Sequence, residues 1–184
     1  MKYSIGIGLT NNCNLCCPHC YRDQKKISSI SLEDIKILFE SISIKSIGMG
    51  TGENILNPEF HEILDFLSDK DINLSLASNG LTLTTISEDE LKLFNDVEVS
   101  IDFPTEKEQD KFRGKGNWKL VHKAIDRCKD LGVNLSILTT LMSVNHDKMK
   151  DLVGLAREHD VNLRGSVYQY VNSKEFEFSY VKFW

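Results

Sequence analysis

The chain has 184 residues, of which 41% are hydrophobic and 27% are charged, so it is long enough to bury the core of one domain. Its net charge of -5 gives no general attraction for nucleic acid, and no apolar run approaches the roughly 18 residues of a membrane-spanning helix. We therefore predict a soluble, cytoplasmic protein with reduced thiols and with neither a nucleic-acid nor a membrane partner.

A first strand is predicted at residues 3–9, and a cysteine-rich stretch follows it directly. Residues 13–20 contain four of the five cysteines, which are Cys13, Cys16, Cys17 and Cys20. Pro18 stiffens this turn, and nearby asparagines favour a loop. Four thiols on one loop can surround a soft metal centre. The fifth, Cys128, lies in a predicted amphipathic helix and is expected to be a buried structural thiol.

The cysteine spacing permits more than one kind of centre. Cys13 with Cys16 and Cys17 with Cys20 form two adjacent pairs, as in a zinc site, although structural zinc sites usually separate their pairs by a hairpin or helix. The alternative is an iron-sulfur cluster. A disulfide framework is a poor fit, because the number of cysteines is odd and no signal peptide is recognisable.

Strands and helices alternate along the rest of the chain. The remaining strands are predicted at residues 44–48, 72–77, 97–101, 133–139 and 161–168. Helices are predicted at about residues 32–43, 58–68, 87–94, 117–131 and 145–158. Their predicted N-caps include Ser31, Ser87, Asn117 and Asn145. A polar loop is predicted to hold residues 113–116.

This alternation predicts an α/β fold with a parallel sheet. Six strands fit a partial (β/α)6 TIM-like barrel, and a doubly wound open sheet is the alternative. In both, the carboxyl ends of the strands share one edge. The cysteine loop, Gly52–Glu53, Ser78–Asn79 and residues 100–102 would meet there, which indicates an enzyme active site.

The pattern Cys13-x3-Cys17-x2-Cys20, followed by the aromatic Tyr21, resembles the signature of the radical S-adenosylmethionine (radical SAM) enzymes. The resemblance implies that these three cysteines hold a catalytic 4Fe-4S cluster in a partial barrel. The fourth iron would then bind S-adenosylmethionine, whose one-electron cleavage gives a 5'-deoxyadenosyl radical. It also implies that Tyr21 borders the adenine, although a core aromatic is the alternative, and that Cys16 is a spectator thiol.

Two further motifs extend the resemblance. Thr51-Gly52-Glu53 occupies the position of the family's Gly-Gly-Glu motif, which implies that the backbone near Gly52 and the Glu53 side chain bind the methionyl amino group. Thr51 departs from that pattern, since it replaces a glycine. Ser78 and Asn79 are ribose candidates, although Ser-Asn-Gly is also a common turn sequence.

Ser100-x-Asp102, followed by Arg113-Gly114, resembles the pattern of the peptide- and protein-modifying branch. It implies that Arg113, with Ser100, binds the methionyl carboxylate and nearby ribose atoms, because a guanidinium suits a carboxylate. Asp102 would position the substrate or cap a turn. His19 is ambiguous, because the family has a non-ligating residue at its position. The other histidines considered are expected at the surface or boundary, namely His61, His122 and His159.

The resemblance extends to about Tyr170, so we predict a radical SAM core at residues 1–172 and an aromatic tail at residues 173–184 that begins a missing extension. The auxiliary-cluster cysteines of the peptide-modifying branch are absent. The implied function is hydrogen abstraction from a peptide or protein, with flavodoxin or ferredoxin as the reductase. The alternatives are radical maturation of a small-molecule cofactor or heme, and a non-catalytic zinc-binding interaction module.

Overall fold

The computed structural model describes residues 1–23, 25–170 and 174–177. Within them six strands alternate with helices. The strands are β1 Tyr3–Gly8, β2 Ile44–Gly50, β3 Asn73–Ser78, β4 Asp96–Ser100, β5 Leu135–Leu141 and β6 Asn162–Val167. The α-helices are α1 Leu32–Ser41, α2 Phe60–Ser68, α3 Leu81–Thr85, α4 Glu88–Leu91, α5 Glu106–Arg113, α6 Asn117–Asp130 and α7 Met149–His159. Short 3-10 turns lie at Asn54–Leu56, His146–Lys148 and Lys174–Phe176.

The strands form one sheet in which every neighbouring pair is parallel and the order is β1-β2-β3-β4-β5-β6. This consecutive order confirms the predicted partial barrel, since a doubly wound sheet reverses its strand order at a switch point. The sheet curls into a half-barrel with β1 and β6 as its two edges. All six carboxyl ends therefore lie on the same rim.

The two faces of the sheet differ because the side chains of a strand alternate between them. The buried apolar face includes Ile47, Met49, Leu74, Leu76, Val97 and Val99. It packs against helical residues that include Phe60, Ile63, Leu64, Val121 and Ile125. Burial of each such side chain contributes roughly 1.5 to 3 kcal/mol. Small or polar residues, such as Gly48, Ser75, Ala77 and Ser100, alternate with the buried ones.

The structure of the stretch before Gly114 differs from the sequence prediction. Arg113 is the last residue of helix α5 rather than part of a polar loop. The Thr105 side chain caps the helix by accepting from the Glu108 N–H, and Gly114 follows with φ 143°. The helix was missed because it is strongly polar and so lacks the apolar periodicity that identifies a buried helix face.

Two asparagines that were predicted as N-caps do not cap a helix with their side chains. Asn117 is the first residue of α6, whereas Gly116, at φ 86°, is the N-cap. Asn145 is the N-cap of the 3-10 turn that precedes α7, but its side chain makes no cap bond; its Oδ1 accepts from the Met142 N–H. Both asparagines are buried, and buried amides are recruited by backbone groups of neighbouring segments. The predicted N-caps Ser31 and Ser87 are confirmed, and each forms a capping box in the structure.

Near the last described residues, Phe176 packs on the rim beside β5 and β6. Its ring lies 5.8 Å from that of Phe112 and 5.9 Å from that of Tyr168. The Ser143 side chain donates to the Glu175 carbonyl oxygen at 2.7 Å. Of the predicted tail at residues 173–184, residues 174–177 are described and the others lie outside the described residues. Within the described ranges, no helix is long and apolar enough to cross a membrane.

Candidate active site

The cysteine loop leaves the carboxyl end of β1 and lines a cavity of about 120 Å³ on the rim. An isolated antiparallel bridge between Thr10 and Ser29 joins the two ends of the cysteine loop. The cavity is lined by Cys13, Leu15, Cys17, His19, Cys20, Arg22, Gly52, Ala77, Ser78, Asn79, Ser100 and Arg113. Cys16 is exposed and lies outside this lining. Folding thus separates the three thiols of the predicted cluster motif from the fourth.

Burial and hydrogen bonding distinguish the thiols further. Burial raises the pKa of Cys17 to about 11, although the charge of Arg113 opposes this shift. Burial also raises the pKa of Cys13, against the effects of the Leu15 N–H, the Arg22 charge and the Asn79 amide. Binding to a metal would therefore have to displace protons from thiols that are protonated at neutral pH.

Arg22 is a residue of this site that the sequence interpretation missed. It is 8% exposed, and its guanidinium donates to the Asn11 carbonyl oxygen at 2.9 Å and to the Leu15 carbonyl oxygen. It therefore ties the two halves of the cysteine loop together. The only sequence signal was a cation directly after the cysteine motif, and a cation in a polar loop is usually solvated.

The stretch 51–53 lies against the cysteine loop, and its backbone conformation requires glycine. Gly52 has φ 65°, and an added Cβ would meet the carbonyl oxygens of Thr10 and Asn12 at 2.4 Å. The Glu53 N–H donates to the Asn12 carbonyl oxygen at 2.8 Å. Close approach of the two backbones is possible only without a side chain. Thr51 also has a positive φ, of 67°.

The Glu53 side chain is fully buried and turns towards the end of β3. Its carboxylate accepts from the Ser78 hydroxyl at 2.6 Å, from the Asn79 N–H at 2.8 Å, and from the Thr82 N–H at 2.7 Å. The Thr82 hydroxyl donates to it as well. Glu53 thereby fixes the start of α3. Its predicted contact with the methionyl amino group stays a prediction.

Arg113 reaches the cavity from the end of α5 and pairs with a buried carboxylate. Its Nε lies 2.7 Å from Asp102 Oδ2, and the two side chains are 9% and 0% exposed. Burial disfavours the guanidinium charge, but Asp102, together with Cys17 and Cys20, outweighs this effect and the pKa of Arg113 is raised. Asp102 Oδ1 accepts from the Thr140 N–H at 2.9 Å. Asp102 therefore orients the Arg113 guanidinium, while Arg113 and Ser100 line the cavity.

Two aromatic side chains of the loop have different surroundings. Tyr21 is 59% exposed, and its hydroxyl is 2.6 Å from the Thr51 hydroxyl. His19 lines the cavity and stacks on Phe112 with ring centroids 5.1 Å apart. Its Nε2 is 3.9 Å from Asp102 Oδ2. Burial lowers the pKa of His19, and the charge of Arg113 acts in the same direction, against the influence of Asp102.

The predicted burial of Cys128 and the predicted surface or boundary positions of three histidines are confirmed. Cys128 is fully buried in α6, and burial raises its pKa to about 11. His61 is exposed, and His122 and His159 are partly exposed. Among residues 1–23, 25–170 and 174–177, no three His, Cys, Asp or Glu side chains are placed to hold a single metal ion.

The donor set fits an iron-sulfur cluster. Three soft thiols share one cavity, as thiolate ligands of iron must. The Asn79 amide and the Leu15 N–H donate to one of them, Cys13 Sγ, each at 3.4 Å. Arg22 and Arg113 line the same cavity and supply positive charge opposite the thiolates. Cys16 is exposed and is not among the residues that line this cavity.

The chain resembles known proteins in its sequence. The family model of the Radical SAM superfamily matches residues 7–156. A mycofactocin maturase, MftC, from Mycolicibacterium smegmatis is 26% identical over 166 residues, with 85% of this chain and 42% of the maturase covered. A probable GTP 3',8-cyclase from Methanocaldococcus jannaschii is 28% identical over 182 residues, with 94% and 60% covered.

The fold is also that of a solved structure. Streptococcus suis SuiB bound to S-adenosylmethionine superposes with a TM-score of 0.79 at 13% identity, covering 97% of this chain and 44% of SuiB. The chain therefore spans less than half the length of MftC and of SuiB, and 60% of the probable GTP 3',8-cyclase. Because the family model covers most of the chain, the chain belongs to the Radical SAM superfamily.

Proposed function

We propose that this protein binds a 4Fe-4S cluster through Cys13, Cys17 and Cys20 and uses it to cleave S-adenosylmethionine. The observation that carries the proposal is the selection among four neighbouring thiols: three line one cavity, whereas Cys16 is exposed. Three protein thiolates leave one iron of a cubane open to S-adenosylmethionine. Membership of the superfamily supports the same chemistry.

When bound, the cluster would supply the one-electron reduction of S-adenosylmethionine, with the electron coming from a reductase such as flavodoxin or ferredoxin. This reduction would give methionine and a 5'-deoxyadenosyl radical. The radical would take a hydrogen atom from the substrate to form 5'-deoxyadenosine. The side chains of this protein would orient the reactants. Arg113 would pair with the methionyl carboxylate, aided by Ser100, because its planar guanidinium matches a carboxylate. The backbone at Gly52 can approach the methionyl amino group closely.

The remaining site residues are proposed to shape the pocket. Tyr21, on the exposed side of the loop, would border the adenine, and Ser78 and Asn79 would lie beside the ribose. Glu53 keeps its predicted role at the amino group, in addition to the contacts that it makes with the start of α3. Asp102 would act through Arg113, whose guanidinium it orients at 2.7 Å.

The proposed substrate is a peptide or protein. The Ser100-x-Asp102 and Arg113-Gly114 pattern supports this choice, and so does the similarity to a maturase. A small-molecule substrate is the second candidate, supported by similarity to a probable GTP 3',8-cyclase. Incubation of the loaded enzyme with GTP and with candidate precursor peptides separates these two. The productive substrate is the one that increases formation of 5'-deoxyadenosine.

The central experiment is anaerobic reconstitution with iron and sulfide, followed by addition of S-adenosylmethionine and dithionite. A brown protein that absorbs near 400 nm and produces 5'-deoxyadenosine is the expected result. A colourless protein that binds one zinc ion would instead support the zinc-binding module. A protein with a full cluster that forms no 5'-deoxyadenosine, even with substrate candidates present, would contradict the proposed reaction.

A further inference from the structure

We propose that Asn79 raises the reduction potential of the cluster by donating a hydrogen bond to the Cys13 thiolate. This inference rests on the proposed cluster site. Asn79 Nδ2 lies 3.4 Å from Cys13 Sγ and 2.8 Å from Asn14 Oδ1. Both acceptors belong to the cysteine loop, whereas Asn79 follows β3. A sulfur acceptor takes a longer bond than an oxygen acceptor, so 3.4 Å is a good contact.

The orientation of the Asn79 amide is determined by its other partners. Its Oδ1 accepts from the Leu81 N–H at 3.1 Å. A flipped amide would turn its NH2 group towards that N–H and its oxygen towards Asn14 Oδ1, which would replace two bonds by two repulsive contacts. The assignment of NH2 to the side of Cys13 therefore follows from the Leu81 N–H, a backbone donor that only an oxygen can accept from.

The backbone of Asn79 is also held on both sides. Its N–H donates to Glu53 Oε2 at 2.8 Å, and its carbonyl oxygen accepts from Asn117 Nδ2 at 2.9 Å. Asn79 is 6% exposed, so water does not replace its contacts freely. A donor that is fixed in this way needs no reorganisation when charge builds up on the sulfur.

The physical effect has a definite sign. Reduction adds one electron, whose charge is shared with the sulfur ligands, so a donor aimed at a sulfur stabilises the reduced form more than the oxidised form. Loss of the donor should therefore make the potential more negative. Cys13 also accepts from the Leu15 N–H at 3.4 Å, a backbone donor that substitutions at Asn79 leave in place.

A simpler role for Asn79 is that of a turn residue at the start of α3. Its bond to the Leu81 N–H is of that kind, since asparagine side chains commonly accept from backbone two residues on. The turn role accounts for Oδ1 but not for the contact of Nδ2 with a thiol in another segment. It predicts a change in stability and no change in potential, so the two roles can be separated.

The test compares Asn79→Asp and Asn79→Ala with the control Asn145→Ala. Asn145 is also a buried amide on the same rim, and its Nδ2 donates to the carbonyl oxygens of Asp102 and Thr140 rather than to a thiol. Each protein is reconstituted anaerobically, and its iron content is measured. The midpoint potential is then determined by redox titration monitored by electron paramagnetic resonance, without substrate.

Full iron content and a more negative potential are expected for both Asn79 variants. Asn79→Asp should shift further, because it puts a carboxylate oxygen beside the thiolate while keeping the acceptor for Leu81. A tenfold change in the reduction equilibrium, about 59 mV for one electron, is the expected size for Asp. The control should keep the potential of the original protein. Asp also preserves the shape of Asn, so the comparison survives if the Ala variant does not fold.

Three outcomes would overturn the inference. They are unchanged potentials in the Asn79 variants, an equal shift in Asn145→Ala, and loss of iron from Asn79→Asp despite an unaltered circular dichroism spectrum. The last would make Asn79 necessary for assembly rather than for tuning. If the original protein does not assemble a cluster, the proposed function fails instead, which distinguishes the two failures.

Discussion

At the scale of single residues, the four cysteines of the loop are neighbours in sequence but differ in their surroundings. Cys16→Ala should retain the cluster, because Cys16 is exposed and outside the cavity. Alanine at position 13, 17 or 20 should abolish it, because each substitution removes one of three thiolate ligands. Iron content and electron paramagnetic resonance of the reduced proteins measure the difference. Loss of the cluster in Cys16→Ala, with retention in Cys17→Ala, would refute the ligand set.

The exposure of Cys16 should also be detectable in the protein without iron. In the folded apoprotein, iodoacetamide is expected to alkylate Cys16 well before Cys128, which is fully buried. Burial raises the pKa of Cys128 to about 11, so only about 0.1% of it is thiolate at pH 8, and the thiolate is the reactive form. Mass spectrometry of a labelling time course gives the two rates. Comparable rates in the folded protein would contradict this description of the two sites, and equal rates in urea are the control.

Arg113 should matter both for binding and for stability. Arg113→Ala is expected to weaken S-adenosylmethionine binding by about 1.5 to 3 kcal/mol, because a charge-assisted bond is lost. It should also lower the free energy of unfolding by roughly 3 to 5 kcal/mol, because Asp102 remains buried without its partner. Calorimetry and denaturant titration measure the two effects, and Arg113→Lys should restore affinity only in part.

A double variant separates these effects. Asp102→Asn in the Arg113→Ala background removes the unpaired charge, so it should recover part of the stability and none of the affinity. Recovery of affinity in the double variant would show that Arg113 affects binding only through folding. Unchanged affinity in Arg113→Ala alone would remove the residue from the binding site.

At the scale of secondary structure elements, Glu53 joins the end of β3 to α3 by accepting four hydrogen bonds. Glu53→Gln should lower the free energy of unfolding by about 1 to 3 kcal/mol. The substitution replaces one accepting oxygen by an NH2 group, which cannot accept a hydrogen bond from the donor that faces it. Denaturant titration measures the loss. Glu59→Gln is the matched control: exposed Glu59 accepts one bond, from the Leu32 N–H, which an amide oxygen can also accept. A similar loss in both variants would contradict the proposed role of Glu53.

At the scale of the whole molecule, residues 174–177 cover the rim beside the last two strands. Phe176 is 5% exposed among Met142, Tyr168 and Phe112. Phe176→Ala should therefore lower the free energy of unfolding by roughly 3 kcal/mol or more. Tyr170→Ala is the control, because Tyr170 is 54% exposed and surface substitutions usually change the free energy of unfolding by about 0.5 kcal/mol or less. If the two variants unfold at the same denaturant concentration, residue 176 does not contribute to the core.

Local patterns determined the architecture of this protein. Alternation of apolar residues predicts each of the six strands, because a strand half-buried against helices must present one apolar face. Ser31 and Ser87 predict their helix starts, since each capping box is complete within four residues. The spacing of Cys13, Cys17 and Cys20 identifies the family in the same way. These signals depend on residues that are close in sequence.

Only the tertiary structure decided how distant residues combine in the site. The burial of Glu53, the bond from Asn79 to Cys13 across 66 positions, and the pairing of Arg113 with Asp102 depend on the meeting of strand ends at one rim. Helix α5 has too few apolar residues to be recognised by periodicity, and Arg22 is buried although cations are usually solvated. Their positions follow from hydrogen-bond partners that the folded backbone supplies, and no local pattern encodes those partners.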